Sequence, residues 1–457
     1  MPSPPPSVRT AKQGFVRAIA VLVGGTAAAH AVTALAMPIL SRLYDPADFG
    51  ALAVLTAIVS TIGVVACLRY DVAVALPRSD EDSLALLTIS LASAAVAGLL
   101  ACAVVAVFFD SLVLWFGEPA LDQGKWLIPI GIFCFGAWNA LQSWHIRQQN
   151  FGSIAKARLG QALATSSVQA ISATMGAGTI GLLAGPAAGF AASLVALIYL
   201  GRDYFIKSFA IRILKNLKTI AKQYIKYPLY STLEAFSNQA ASQVPIVIIA
   251  ATLGTTQVGH LALAMLALQA PMSLLGSAVG QVYLSRAPEE HQQGKLGDFT
   301  SHVIANLVKV GAGPILAIGI ISPSLFPVVF GSNWEAAAVF VTWMAPWFFL
   351  QFIASPISMA LHVVGAQGAA MGLQVFALVI RVGATWGAGQ VFPTWMIETY
   401  ILSGAFVYFI YTFIILKHLQ KINQKTALPP LNKLLLWISP WLLASVAAVI
   451  AVGEIQQ

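Results

Sequence analysis

The sequence contains few charged residues: Asp, Glu, Lys and Arg make up 9% of its 457 residues, whereas they make up about 25% of an ordinary soluble domain. Hydrophobic residues account for 58% of the chain, and the mean hydropathy is +0.80. A soluble chain of this length would need far more surface charge. The composition therefore excludes a cytosolic enzyme, a nucleic-acid-binding protein and a disordered chain, and it indicates a polytopic membrane protein.

Cysteines and catalytic motifs are also scarce. The three cysteines, Cys67, Cys102 and Cys134, each lie inside an apolar run, which is typical of small buried side chains rather than of disulfides or metal ligands. The chain contains no nucleotide-binding loop, zinc motif or nucleophile triad. We therefore expect a non-enzyme without a cofactor. If such a membrane protein is a transporter, a coupling ion (proton or sodium) or the membrane potential would have to drive it.

Long hydrophobic runs dominate the chain, and a spanning helix needs about 20 mainly apolar residues. We predict thirteen such segments: 15–40, 50–68, 83–109, 126–146, 159–180, 182–200, 223–250, 259–283, 300–322, 335–361, 368–388, 395–416 and 433–452. They predict a disordered cytoplasmic start (1–14), an N-lobe of six helices (15–200), a cytoplasmic amphipathic linker (201–222), a C-lobe of six helices (223–416) and one extra helix.

Basic residues predict the orientation, because cytoplasmic loops are enriched in Lys and Arg. With the N-terminus in the cytoplasm, 21 of the 25 basic residues lie inside, among them Arg147 and Arg158. Arg42 and Lys125 lie outside, and Lys309 and Arg381 fall within helices. We attribute most of the inside charge to orientation and to contact with anionic membrane lipids, rather than to nucleic acid.

An internal repeat relates the two halves by a shift of 209 residues. The shift places FGALAV (49–54) on VGHLAL (258–263), and Arg17 on Lys226. A repeat unit of six helices starts both copies on the same side, which predicts a parallel pseudo-twofold axis along the membrane normal. Two such bundles enclose a central cavity.

Two sequence blocks resemble a known family. SRLYDPADFG (41–50) with LRYDVAVALPRSDED (68–82), and KYPLYSTLEAFSNQ (226–239) with QAPMSLLGSAVGQVYLSRAPEE (269–290), are similar to the polysaccharide exporters (Wzx-type flippases) of the multidrug/oligosaccharidyl-lipid/polysaccharide (MOP) transporter superfamily. The resemblance implies two six-helix lobes in a V around a cavity. It also implies transfer of sugars linked to a lipid diphosphate from the inner to the outer leaflet of the bacterial inner membrane.

The sequence departs from the lipid II flippases of that superfamily at two positions. His30 and Leu266 stand where those proteins carry arginines thought to hold the diphosphate. These departures weaken an assignment to lipid II and leave the contacts to the headgroup open.

A polar stripe marks the seventh segment. Tyr227, Ser231, Glu234, Asn238 and Ser242 are three or four residues apart and share one helical face. With the helix starting at Gln223, Glu234 lies about 16 Å deep. It is open from the sequence whether this acid serves as a proton or cation site, contacts sugar hydroxyls or forms a structural salt bridge.

Two bases fall inside segments of the same lobe: Lys309 in the ninth and Arg381 in the eleventh. Lipid II flippases are thought to bind sodium between the seventh, eleventh and twelfth helices. We predict that a pair of Glu234 with Arg381 replaces such a metal here. Lys309 either belongs to this charged group or snorkels to the inner interface.

The remaining candidates concern the cargo. Arg17, Arg69 and Lys226 at the inner helix ends are predicted to form a basic mouth for the diphosphate, although Arg69 and Asp71 are also compatible with a simple interfacial ion pair. Neutral polar faces are expected to hold the sugars deeper in, around three residues: His30, Asn238 and Gln269. His30 is equally compatible with a packing role, and the polar amides with bonds between helices.

These patterns favour a flippase for lipid-linked oligosaccharides of surface polysaccharide such as O-antigen, capsule or exopolysaccharide, acting as a monomer by alternating access, with the polysaccharide polymerase and assembly machinery as partners. The first alternative is a multidrug or organic-cation antiporter of the same superfamily, which would need acids in its cavity. A glycan polymerase is the second alternative; it would need a substantial outside loop, and the predicted outside loops are short.

Overall fold

The computed structural model describes residues 8–116, 122–208, 217–421, 437–445 and 448–449, and within these ranges it contains helices, turns and bends but no strand. This confirms the all-α fold class. The long helices are α1 (Val8–Leu43), α2 (Pro46–Gly63), α3 (Asp80–Phe116), α4 (Leu127–Arg147), α5 (Phe151–Thr174), α6 (Gly178–Ser208), α7 (Thr232–Leu253), α8 (Thr255–Gln292), α9 (Leu296–Phe330), α10 (Glu335–Ile357), α11 (Gln367–Val391) and α12 (Met396–Lys421).

Eight of the described helical spans are long and apolar enough to cross a membrane. Large apolar side chains point outward from these helices: Leu35 is 75% exposed, Leu99 70% and Val195 67%. Such contiguous apolar surface is unfavourable in water and suits a lipid environment. The chain is a multi-pass membrane protein.

The start of α5 differs from the prediction. The helix begins at Phe151, not at residue 159, because the side chain of Asn150 caps it by accepting a hydrogen bond from the backbone N–H of Ser153. Arg158 therefore lies inside the helix, about two turns from its start, and does not belong to the inside loop in which we counted it.

The start of α7 also differs. A short helix (Leu217–Gln223) is followed by a turn and a π-helical turn (Tyr227–Ser231), and the regular helix begins only at Thr232. Pro228 lacks the N–H needed for a continuous α-helix, which accounts for the interruption. Glu234 thus lies in the first turn of α7, and its depth in the membrane stays a prediction.

Several predicted segments extend beyond their expected ends. α1 begins at Val8, within the stretch 1–14 for which we predicted disorder, and α6 continues to Ser208, within the predicted linker. Residues 209–216 and parts of the thirteenth segment (433–436, 446–447 and 450–452) lie outside the described residues; the described parts of that segment, 437–445 and 448–449, are helical. The domain boundaries stay predictions.

The described residues form two compact units. The first contains those within 1–36, 58–114 and 119–236, and the second those within 37–57, 115–118 and 237–457. The end of α1 and the first two thirds of α2 thus belong to the second unit. There Ser41 accepts a hydrogen bond through its carbonyl oxygen from the indole N–H of Trp334, at 2.9 Å.

The starts of α2 and α8 cross closely in the second unit. A Cβ atom at Gly50 would collide with the carbonyl oxygen of Thr255, and one at Gly259 would collide with that of Pro46. Gly50 and Gly259 differ by 209 residues, and so do Pro46 and Thr255. The contact is therefore symmetric under the predicted repeat, and it requires glycine at both related positions because backbone approaches backbone. The complete six-plus-six repeat stays a prediction.

Candidate functional site

An arginine in the first unit joins three helices. The guanidinium of Arg158 on α5 donates hydrogen bonds to Thr26 Oγ1 on α1 (2.7 Å) and to Gln142 Oε1 on α4 (3.0 Å). It also lies 5.8 Å from the ring centroid of Trp138, one turn before Gln142 on α4. We call Arg158 with these three partners the Arg158 cluster.

An aromatic group fixes the indole of this cluster. Trp138 packs against Phe135 and Phe190, with ring centroids 6.4 and 6.1 Å apart, and Phe135 and Phe190 lie edge to face at 5.6 Å. Such packed rings hold a definite orientation. The Trp138 ring therefore gives the long Arg158 side chain a fixed surface, with α4 and α6 behind it.

In the described part of the structure, neutral groups hold the charge of Arg158. Its hydrogen-bond partners are neutral, its Nε atom is buried without a partner, and among the described acids of the first unit none forms an ion pair with it. His30, one turn after Thr26 on α1, is exposed and lies within electrostatic range of the guanidinium. The Arg158 cluster thus offers a fixed, partly exposed positive charge next to the position where lipid II flippases carry an arginine.

The second unit contains another arginine with neutral partners. Arg381 on α11 is 3% exposed and donates to the hydroxyl of Tyr400 (2.8 Å) and to that of Ser242 on α7 (3.4 Å). Its guanidinium lies 4.8 Å from the ring centroid of Trp347 on α10 and 5.0 Å from that of Tyr400 on α12. Four helices of the unit therefore converge on this side chain.

A cavity of about 250 Å³ opens beside Arg381. Its lining includes hydroxyls and amides from α7, α10, α11 and α12, namely those of Asn238, Ser242, Ser355, Ser358, Gln374, Tyr408 and Tyr411. Arg381 is its charged lining residue, and no acid lines it among the described residues. We call this cavity the Arg381 pocket.

The predicted polar stripe of α7 is thus divided in the structure. Ser242 and Asn238 line the Arg381 pocket in the second unit, whereas Glu234 is half-buried at the end of the first unit. The predicted pairing of Glu234 with Arg381 stays a prediction because the two residues belong to different units. The contacts of Arg381 within its own unit are made to neutral groups.

The predicted basic mouth contains an arginine that already has an acid beside it. Arg69 follows α2 in a left-handed turn (φ 58°), and its guanidinium lies 3.9 Å from the carboxylate of the buried Asp71. Burial raises the pKa of Asp71, and the charge of Arg69, followed by hydrogen bonds from nearby backbone N–H groups, lowers it to a smaller extent. This geometry fits the ion-pair alternative, and a role for Arg69 in binding cargo stays a prediction.

The other predicted residues are distributed over both units. Lys226 is exposed just before the π-helical turn, Gln269 is exposed on α8, and Lys309 is exposed within a second π-helical turn, Val308–Ala312, of α9. Arg17 lies on α1, and its side chain is outside the described part of the structure. Their roles stay predictions.

Arg158 is the functional candidate that sequence reasoning missed. We assigned it to a loop because the apolar run begins only after it. The signal was Asn150, a good N-cap residue three positions before Ser153, which favours a helix start at Phe151. Within the described ranges, no group of three or more His, Cys, Asp or Glu side chains is placed to hold a metal.

Solved structures with the same fold are transporters. A lipid II flippase (MurJ, inward closed conformation) aligns with a TM-score of 0.66 at 12% identity, covering 93% of this chain and 98% of the flippase. A multidrug resistance transporter of the MATE family in an inward-facing conformation aligns with a TM-score of 0.58 at 13% identity, covering 89% and 96%. A MOP superfamily transporter from Pyrococcus furiosus, whose binding pocket of reverse polarity suggests a different function, aligns with a TM-score of 0.52 at 12% identity, covering 89% and 96%.

These alignments define the fold class: the chain has the MOP superfamily fold, as the sequence resemblance implied. Residues 39–339 match the sequence profile of the polysaccharide biosynthesis proteins, and the chain belongs to that family. No curated protein is significantly similar to it in sequence.

Proposed function

We propose that this protein is a flippase that moves a polyprenyl-diphosphate-linked oligosaccharide from the inner to the outer leaflet of the bacterial inner membrane. The observation that carries the proposal is the Arg158 cluster: a partly exposed guanidinium, held by neutral groups, inside a helical unit of a polysaccharide biosynthesis protein. A fixed positive charge without an acid favours an anionic cargo, and the guanidinium fork matches a diphosphate.

The cluster leaves part of the guanidinium available for cargo. Two of its five N–H donors are satisfied by Thr26 and Gln142. Nε is buried, so the second N–H groups of Nη1 and Nη2 are the donors proposed to bind phosphate oxygens, while the Trp138 face keeps the fork in place. His30, exposed on the same face of α1 as Thr26, then lies where the first sugar would follow the diphosphate.

The competing function is export of organic cations, as in a multidrug antiporter. Such cargo needs acids or open aromatic faces to offset its charge. The Arg158 cluster and the Arg381 pocket instead present positive charge, which repels a cation. The same proposal includes an inner-membrane location and a cytoplasmic N-terminus. It also includes the role of a transporter and not of an enzyme.

Reconstituted vesicles test the function. We expect the purified protein to flip a fluorescent polyprenyl-diphosphate sugar and not to export a fluorescent organic cation. Arg158→Gln should raise the cargo concentration for half-maximal flipping by ~10-fold or more, because one charge-assisted hydrogen bond contributes ~1.5–3 kcal/mol.

Arg202→Gln is the matched control, since Arg202 lies over the Tyr199 ring on α6 and not in the cluster. It should leave the concentration dependence unchanged. Cation export without flipping would replace this proposal with the antiporter. An Arg158→Gln variant that flips with unchanged concentration dependence would remove Arg158 from the cargo site.

A further inference from the structure

The Arg381 pocket contains a buried positive charge. Arg381 is a cationic side chain, and it is 3% exposed. Within the described part of its unit it forms no ion pair. A buried cation without a counter-charge is costly.

The aromatic rings around Arg381 offset part of this cost. Trp347 and Tyr400 present their faces at 4.8 and 5.0 Å, distances typical of cation–π interactions. A ring quadrupole weakens the field of a charge but does not neutralise it. The positive charge therefore remains available to a ligand in the adjoining cavity.

The N–H donors of Arg381 that have no partner indicate the chemical class of the ligand. Tyr400 and Ser242 each accept one hydrogen bond, and the Nε atom is buried without a partner. A guanidinium with free N–H groups binds an oxyanion through two parallel hydrogen bonds. Ser355 and Gln374 add neutral donors around the same cavity.

The volume of the cavity limits the size of the ligand. About 250 Å³ is below the ~300–1,000 Å³ of most ligand sites. It accommodates a phosphate, a carboxylate or a single sugar acid, and it is too small for an oligosaccharide.

We propose that the Arg381 pocket is a binding site for a small oxyanion, supplied either as a free ion or as the acidic group of a sugar. The oxyanion completes the coordination of the guanidinium and neutralises its charge. The site is distinct from the Arg158 cluster, and it does not depend on the proposed cargo.

Trp347 provides the readout, because its indole contacts the guanidinium. The purified protein in detergent is titrated with inorganic phosphate, glucuronate or glucose at constant ionic strength, and tryptophan fluorescence is recorded. We expect a saturable change with phosphate or glucuronate and none with glucose. The change should disappear in Trp347→Phe, which assigns the signal to this site.

Variants locate the binding. Arg381→Gln should weaken it at least ~10-fold, as expected for the loss of a charge-assisted bond. Ser355→Phe fills the cavity from an exposed lining position and should abolish binding with Arg381 intact, so it serves if Arg381→Gln does not fold. Lys417→Gln is the control, because Lys417 lies on α12 near Phe413 and does not line the pocket.

Each outcome decides the proposal. Saturation by phosphate alone identifies a free ion, saturation by glucuronate alone identifies an acidic sugar, and saturation by both leaves the site open to either source; all three support an oxyanion site. No saturation with either anion, equal binding of glucose, or undiminished affinity in Arg381→Gln and Ser355→Phe would overturn it. None of these measurements involves flipping, so the proposed function stands or falls separately.

Discussion

The arginines at the helix ends and those inside the helical units have different partners. At the end of α4, Arg147 forms a 2.8 Å ion pair with Asp80 and donates to the carbonyl oxygen of Pro77. Arg69 lies beside Asp71. Inside the units, Arg158 and Arg381 are held by hydroxyls, an amide and aromatic rings.

The two groups of arginines therefore differ in whether an acid offsets their positive charge. An arginine that links a turn to a helix has an acid beside it, and the acid cancels most of the electric field of the guanidinium. Where an arginine lies within a unit, its partners orient the guanidinium but leave its charge uncompensated. Such an arrangement is poor for stability and suited to recognising an anion.

The largest effect is expected when an acidic side chain is placed next to an arginine inside a unit. Gln142→Glu places a carboxylate oxygen where the amide oxygen now accepts from Arg158 at 3.0 Å. The new ion pair should raise the melting temperature and raise the cargo concentration for half-maximal flipping by ~10-fold or more.

Gln142→Met is the neutral control, because it changes the same side chain and removes its hydrogen bond with Arg158 without adding charge. It should change flipping much less than Gln142→Glu does. Equal flipping by the two variants would mean that the charge of Arg158 is not what the cargo recognises.

A smaller effect is expected from a helix-end arginine. Arg147→Gln removes the pair with Asp80, an acid that is 67% exposed and so contributes little. It also removes hydrogen bonds to two backbone carbonyl groups, those of Pro77 and Arg78. We expect a total loss of ~2 kcal/mol of stability, seen as a lower melting temperature in detergent. Flipping per folded molecule should be unchanged, and a raised cargo requirement would show that this arginine also binds cargo.

The smallest effect concerns pH. Since burial raises the pKa of Asp71 in the folded state, its contribution to stability is fully present below the pKa of the unfolded chain and is lost as the pH rises through the folded value. Asp71→Asn should therefore flatten the fall in melting temperature between the unfolded and the folded pKa of Asp71. An identical pH profile for the wild type and Asp71→Asn would show that Asp71 is not strained by burial.

The fold was largely predictable because it depends on apolar runs about 20 residues long. All twelve long helices overlap the segments predicted for them, and the repeat shift is echoed by the symmetric contact of Gly50 with Gly259. The errors arose at local signals, at the Asn150 cap and at Pro228, where hydropathy carries no information about the exact start of a helix.

The candidate sites were predictable only in part. Arg381 stood out because a charge inside an apolar segment is rare, and Ser242 and Asn238 because they share a face with Glu234. Arg158 did not stand out, since the sequence places it next to Lys156 in an apparent basic loop. Its partners Thr26 and Gln142 come from two other helices, 132 and 16 residues away in sequence, and single-sequence patterns do not report such packing.

The most direct test of the central claim is the preference of the protein for a charged headgroup. Binding of a fluorescent polyprenyl-diphosphate sugar and of an uncharged polyprenyl glycolipid with the same sugar is measured for wild type and Arg158→Gln. We predict that the wild type binds the diphosphate ligand ~10-fold or more tightly than the uncharged one. Arg158→Gln should remove most of this preference by lowering the affinity for the diphosphate ligand alone. A preference that persists in full in Arg158→Gln would contradict the assignment of Arg158 to the cargo headgroup.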